Sequence, residues 1–382
     1  MLFMPADLGE AELVVLAQIA DLRKNLRWQL YEPRRWMGSL RRLSFARAIQ
    51  GSNTIEGYTA ALDDAAAVAA GEEPLDASAQ TRLALTGYRD AMTYVLQLAG
   101  EPDFVYTEQL LKSLHFMMTS HDLKKSPGLW RPGSIYVHKD DTGEVVYEGA
   151  RVGDVPELMH QLVEDLNEQG GTPPMVRAGM AHLNLVMVHP FRDGNGRMAR
   201  CLQSLVLARE GVDPSPVFLS IEEYLGRNTQ AYYDVLAQVG GGRWQPERDA
   251  RPWIRFVLTA HVRQARTLLR RVKESERLWE ELEKVVTRAG LPDRTLYVLF
   301  DAAIGLRVRN GTYRASIEGL EEISEQTATR DLGRMVDQAL LAPHGAKRGR
   351  YYVRGETLRN MWQSIVQQRD PRDESDPFAS AA

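Results

Sequence analysis

The residues from His189 to Arg200, HPFRDGNGRMAR, combine the side chains that phosphate chemistry needs. An apolar run ends at Val188, a loop follows through Gly194, and a helix is expected from near Asn195. Backbone N–H groups of the Gly194–Gly196 turn then point into the loop at a helix N-terminus. Such a turn is an anion cradle, and its glycines let phosphate oxygens come close to the backbone. Arg197 and Arg200 lie three residues apart, so they share a helix face and can grip neighbouring phosphates. Asp193 offers a hard oxygen of the kind that holds Mg²⁺ between a carboxylate and phosphates. His189, with an ordinary pKa of ~6.5, can take a proton from an attacking hydroxyl. Each residue alone has a plain structural alternative: a surface histidine, a GNG turn, an Asp cap, a solvated arginine pair. Their convergence at this spacing favours nucleotide chemistry.

With those residues in place, the stretch resembles the signature of the Fic family, His-x-Phe-x-Asp/Glu-Gly-Asn-Gly-Arg-x-x-Arg, at every defining position. The resemblance covers roughly residues 40–270. It implies a protein adenylyltransferase that moves AMP from ATP to a Tyr, Thr or Ser hydroxyl, with Mg²⁺ as cofactor. By that resemblance His189 is the general base and Asp193 holds the metal. Asn195 and the backbone of Gly194 and Gly196 bind the α and β phosphates, Arg197 contacts the outer phosphates, and Arg200 meets the γ-phosphate. Phe191 is implied to be a core anchor. Relatives of the Doc kinase type carry Lys where this chain has Gly196 and transfer the γ-phosphate, so Gly196 favours AMP transfer. Phosphocholine transfer also occurs in the family and stays open.

Other segments gain meaning beside the signature. Ser52-Asn-Thr-Ile-Glu56-Gly57 is by itself a helix cap with a solvated carboxylate. It also resembles the family's inhibitory motif, Ser/Thr-x-x-x-Glu-Gly/Asn, which implies that Glu56 pairs with Arg200 and blocks the γ-phosphate. Residues 134–148 place IYVHK and EVVYE around Asp140-Asp141-Thr142-Gly143, a β-hairpin pattern. The hairpin resembles the family's flap, which implies that Ile135, Tyr136, Val137, Val145, Val146 and Tyr147 position the target by strand addition. Gly149-Ala150 stands where many relatives have a Pro pair. Tyr232 and Tyr233 fall where relatives line the adenine pocket, with core packing as the alternative for one of them. Gly240 falls where some relatives place a nucleotide-contacting Asn.

The elements that must position these groups read as mainly α. Apolar residues recur at helical spacing over 10–30, 77–99, 107–120, 154–168 and 174–188, and a long charged helix follows residue 251. The implied fold is a Fic helical core with a β-hairpin flap, plus a C-terminal winged helix-turn-helix domain. The expected divisions are 1–100, an N-terminal helical region with the inhibitory motif, and 101–270, the catalytic core. A connecting helix over 271–290, a winged-helix domain over 291–365 and a disordered tail over 366–382 complete them. In the C-terminal part Ser324 can cap a helix with Leu332, Met335, Val336 and Leu340 inward and Arg330 and Arg334 outward. A basic turn, Lys347-Arg348-Gly349-Arg350, then resembles a wing, although Asp331 and Asp337 dilute its positive field.

Of the 382 residues, 44% are hydrophobic and 26% charged, with a net charge of −4, which argues against wholesale coating of nucleic acid. A single cysteine, Cys201, cannot form an internal disulfide, which suits a reducing cytoplasm. No apolar run reaches the ~20 residues needed to span a bilayer. Expected partners are ATP and a protein substrate, which can be the chain itself, with DNA and a second copy as further candidates. Removal of AMP from a modified protein, and a DNA-binding regulator with a nucleotide-sensing core, are the competing readings.

Overall fold

The computed structural model describes residues 1–139, 142–168, 170–211, 220–371 and 374–379. Asp140 and Asp141, expected in the hairpin turn, lie outside the described residues. The first half is helical: α1 (Glu10–Gln29), α2 (Met37–Ile55), α3 (Leu62–Ala69), α4 (Ala79–Leu98) and α5 (Glu108–Thr119). The hairpin β1 (Tyr136–His138) and β2 (Val145–Glu148) interrupts them. Then come α6 (Val155–Asn167), α7 (Pro174–Val188), α8 (Asn195–Arg209), α9 (Glu222–Arg227), α10 (Thr229–Gly240) and the long α11 (Arg251–Arg288). No helix among the described residues is long and apolar enough to cross a membrane.

At some helix starts a side chain satisfies a free N–H group. Ser78 and Thr107 accept from the backbone N–H groups of Thr81 and Leu110 at the heads of α4 and α5. Pro174 opens α7, where its missing donor costs nothing. Helix α8 differs, because Gly194 precedes it in a left-handed conformation and no side chain caps it. Helices α7 and α8 are buried nearly all round and lie at the centre of the larger core, packed against each other and against α4 and α11. The chain between them is therefore held from both sides.

A second apolar cluster gathers around the later half of α11. It contains α12 (Thr295–Ala303), α13 (Asn310–Ser316), α14 (Glu325–Asp337), the hairpin β3 (Leu341–His344) with β4 (Tyr351–Arg354), and α15 (Glu356–Gln367). Leu26, Trp36, Met37, Leu40 and Leu43, from α1, α2 and the residue before α2, join the same cluster, so the N-terminal helices serve both cores. A division at residue 270 falls inside the uninterrupted helix α11. Ser324 caps α14, and Leu332, Met335 and Leu340 are buried as expected. Asp331 departs from expectation: it is buried and held by Arg294 at 2.7 Å and by the Tyr313 hydroxyl at 3.0 Å, so it does not face a partner. The expected disordered tail departs as well. Its first residues belong to α15, Arg263 donates to the Ser375 carbonyl at 2.8 Å, and the Phe378 ring packs on the larger core under Arg255.

Candidate active site

His189 ends α7 in a left-handed conformation, φ 55°, which turns its side chain away from the helix axis. Its Nδ1 lies 3.0 Å from the Val186 carbonyl, so Nδ1 carries the proton and Nε2 keeps its lone pair. Burial lowers its pKa, and Arg131 adds to the effect. The imidazole is therefore neutral at neutral pH, as a base must be.

Below it, Asn195 closes the loop on itself. Its Oδ1 accepts from Phe191 N and its Nδ2 donates to Phe191 O, both at 2.9 Å. The buried amide thus shapes the loop, and the Asn195 backbone N–H stands at the head of α8. The Gly194 N–H is also engaged, with the Asp193 carboxylate at 2.7 Å. Phe191 anchors the loop as expected, stacked on His115 at 3.8 Å between centroids. His115 accepts from Gly128 N at Nδ1 and donates from Nε2 to the Asp193 carbonyl, each at 2.9 Å. Burial lowers its pKa to about 4. Protonation would remove the acceptor that Gly128 uses, so the unfolded chain binds this proton more readily than the folded one between pH 6.5 and about 4. The stability due to neutral His115 is full above pH 6.5 and falls with the pH through that window. A His115→Asn chain should lose this part of the slope in melting temperature against pH.

The cations follow. Arg197 is fully buried, and among the described residues none of its three guanidinium nitrogens has a hydrogen-bond partner; the Tyr58 ring lies 5.3 Å away. Arg200, equally buried, donates from Nε to Ser52 Oγ at 2.8 Å and from Nη2 to Ser52 O at 2.9 Å and Glu56 Oε1 at 2.6 Å. Burial works against its charge, but the Glu56 carboxylate outweighs this and raises its pKa. Ser52 is thus not a helix cap; it sits in the last turns of α2 and receives the guanidinium. Glu56, just past the end of α2, lies directly over the start of α8. A Cβ built on Gly196 would crowd Glu56 Oε1, so a side chain there would push this carboxylate aside.

Asp193, 39% exposed, pairs with Lys125 Nζ at 2.7 Å. Burial would raise its pKa, yet Lys125 and Arg197 hold it below the usual carboxylate range. The residues fit a magnesium ion in one mode only. Among the described residues no three His, Cys, Asp or Glu side chains gather as a cage. The single carboxylate suits a cation that takes its other ligands from phosphates and water.

The flap pairs Tyr136 with Glu148, Val137 with Tyr147 and His138 with Val145. Tyr136, Val145 and Val146 are exposed, and Ile135 lies just before β1, its carbonyl accepting from Gly149 N. Tyr147 corrects its expected role: its ring is buried and its hydroxyl donates to the Met187 carbonyl at 2.8 Å, so it anchors the flap to α7. Arg131, which the sequence did not single out, locks the flap to the catalytic loop. Its buried guanidinium donates to the carbonyls of Gly133, Ala150 and His189, and its backbone N–H donates to Pro190. Arg131→Ala leaves several carbonyls without donors, at ~1–3 kcal/mol per buried group. Its melting temperature should fall by several degrees, and ammonium-bearing Arg131→Lys should restore only part of it. Gly149 is explained by the same junction, because a Cβ there would meet Ile135 Cγ2 at 2.8 Å and His189 Cβ at 3.1 Å.

The aromatic pair splits. Tyr232 is buried, with its hydroxyl 3.0 Å from His182 Nε2, so it packs in the core and offers no face to adenine. Tyr233 is half exposed and donates to the Ile55 carbonyl at 2.9 Å, beside Glu56. Gly240 is buried against Tyr147 and Met187.

Residues 105–207 match the sequence model of the Fic/DOC family. The chain is 31% identical over 176 residues to the protein adenylyltransferase Fic of Aedes aegypti, covering 45% of this chain and 31% of that one. It is 40% identical over 106 residues to the protein adenylyltransferase fic-1 of Caenorhabditis elegans, covering 27% and 18%. The chain thus spans less than half the length of these curated relatives. Among solved structures, a Fic family protein from Desulfovibrio desulfuricans G20 superposes over 93% of this chain and 99% of its own, with a TM-score of 0.58 and 22% identity. Fic-1 from C. elegans superposes over 69% and 73%, with a TM-score of 0.54 and 23% identity. At these identities the structural likeness speaks for the fold. The signature loop, the helices that hold it and the matched stretch coincide, and residues 105–207 of this chain are a Fic domain.

Proposed function

We propose that the chain is a protein adenylyltransferase that moves AMP from ATP to a Tyr, Thr or Ser hydroxyl of a protein, itself included, and that Glu56 holds its site closed. One observation carries the reading: a fully buried arginine, Arg197, without a hydrogen-bond partner among the described residues, beside a second, Arg200, whose carboxylate partner follows the end of α2. A buried guanidinium left unsatisfied is costly unless an anion arrives to meet it. The uncapped start of α8 adds backbone donors that favour phosphate at the same place.

In the proposed reaction Arg197 and Arg200 hold the outer phosphates, and the N–H groups at the head of α8 hold the inner ones. The flap presents the target backbone along its strands, which sets a hydroxyl before His189. His189 Nε2 takes the hydroxyl proton as the oxygen bonds to the α-phosphorus and pyrophosphate leaves. Mg²⁺, held by Asp193, would offset the charge that develops on the phosphates. Glu56 must leave Arg200 before the γ-phosphate can be gripped.

The test uses Glu56→Gly protein with ATP labelled at the α or the γ position. Incorporation of the α label supports the reading; incorporation of the γ label alone points to a kinase. Loss of AMP from pre-modified protein, without incorporation, points to the reverse reaction. DNA contact through α14 and the β3–β4 turn is a separate proposal, resting on exposed Arg330 and the basic turn at Lys347. A sequence-selective gel shift that survives His189→Ala would support it.

A further inference from the structure

Three cations meet at the outer end of the loop, and the signature accounts for two of them. The third is Lys125, on a single 3-10 turn after α5. Its side chain is 13% exposed, and Nζ lies 2.7 Å from Asp193 Oδ2 and 2.8 Å from the Tyr58 hydroxyl. Tyr58 follows Glu56 by two residues, in the segment that closes the site. Its ring lies 5.3 Å from the Arg197 guanidinium and 5.5 Å from the Lys125 ammonium. One short segment therefore touches all three cations: Glu56 takes Arg200, and Tyr58 covers Arg197 and takes Lys125.

The charges decide what Lys125 does when the site fills. A mostly buried ammonium needs an anion. Its present anion is Asp193, which is also the carboxylate that suits a metal ion. If a divalent cation takes that carboxylate, Lys125 loses its partner beside a like charge and must find another. The triphosphate is the anion that arrives with the cation. We propose that Lys125 is a phosphate-binding residue of the nucleotide site, held on Asp193 by the Tyr58 hydroxyl while the site is closed. The inference rests on the nucleotide reading given above. Tyr58 makes the closure double, because removal of Glu56 frees Arg200 and leaves Arg197 and Lys125 covered.

The experiment is calorimetric titration of the full chain with ATP, with Mg²⁺ and again in chelator. All variants share the Glu56→Gly background. Lys125→Met should weaken ATP binding about tenfold, whereas Lys125→Arg, which keeps the charge, should hold most of the affinity. Tyr58→Phe removes the hydroxyl and keeps the ring over Arg197; it should tighten binding about threefold, but only when Lys125 is present. The Lys125→Met difference should shrink in chelator, where no cation competes for Asp193 and the carboxylate keeps its hold on Lys125. The inference fails if Lys125→Met binds ATP as tightly as its parent with Mg²⁺ present, which would leave Lys125 as a support for Asp193 alone. Melting temperatures without ATP guard against misfolding, and Lys125→Gln replaces the Met variant should the latter not fold. If Glu56→Gly binds no better than the unaltered chain, the Glu56 brake fails while the Lys125 comparison still stands. If no protein in the set binds ATP, the nucleotide reading fails and this inference falls with it.

Discussion

In the Glu56→Gly background, His189→Ala should lower AMP transfer by roughly 10²–10⁴-fold while ATP binding stays unchanged. The separation follows from the geometry. The imidazole sits at the end of α7, and the groups proposed to face phosphate, Arg197, Arg200 and the head of α8, come from the next helix. Removing the ring takes away the proton acceptor and leaves the cradle intact, provided the loop holds its shape. The loop should hold, because Asn195, Phe191 and His115 pin it independently of the His189 side chain. The tautomer gives a second readout. With Nδ1 committed to Val186 O and the pKa lowered by burial, the base stays available below the ordinary histidine value. The acid limb of kcat/KM should therefore fall below pH ~6.5, since the neutral form is the active one. Weakened ATP binding in step with lost transfer would make His189 a structural residue of the site.

The second large effect is that of Glu56→Gly itself, which should tighten ATP binding and raise transfer by roughly ten- to a hundredfold. The figure comes from the pair it removes. A hydrogen bond between charged groups contributes ~1.5–3 kcal/mol, and ~1.4 kcal/mol is tenfold in an equilibrium constant. Glu56 is 22% exposed, which screens the pair and argues for the lower part of the range. Steric relief adds to this, because the carboxylate stands over Gly196, where an inner phosphate would approach the backbone. The same substitution has the opposite effect on the empty protein. It leaves Arg200 buried without its carboxylate partner, and an uncompensated buried charge is destabilising. The melting temperature should thus fall without nucleotide and recover with ATP by more than the unaltered chain gains. Equal ATP affinity in the two proteins would overturn the role given to Glu56.

Part of this site was legible from spacing alone. Arg197 and Arg200 share a face because a helix repeats every 3.6 residues, and Gly194 ends up as the uncapped entry to α8 because glycine tolerates its left-handed conformation. The helices, the flap hairpin and the Ser52–Glu56 segment were likewise local patterns. Other outcomes depended on who packs against whom. Asn195 carries the side chain of a ligand, yet its amide was claimed by Phe191 four residues back. Tyr232 and Tyr233 are neighbours in sequence, and helical rotation sent one into the core and the other to the surface. Lys125, Tyr58, Arg131 and His115 stood in no motif. Each acts on a partner far along the chain, across 67 residues for Lys125 and Tyr58 and 58 for Arg131 and His189.

The amino-acid order by itself determined the chemistry on offer: a base, a hard oxygen, two guanidiniums and a glycine turn within a dozen positions, where short-range geometry leaves little choice. Only the folded molecule decided which side chains cover those groups. Bringing α2 over the start of α8 sets Glu56 and Tyr58 against cations more than sixty residues away, and such encounters depend on the packing of whole helices.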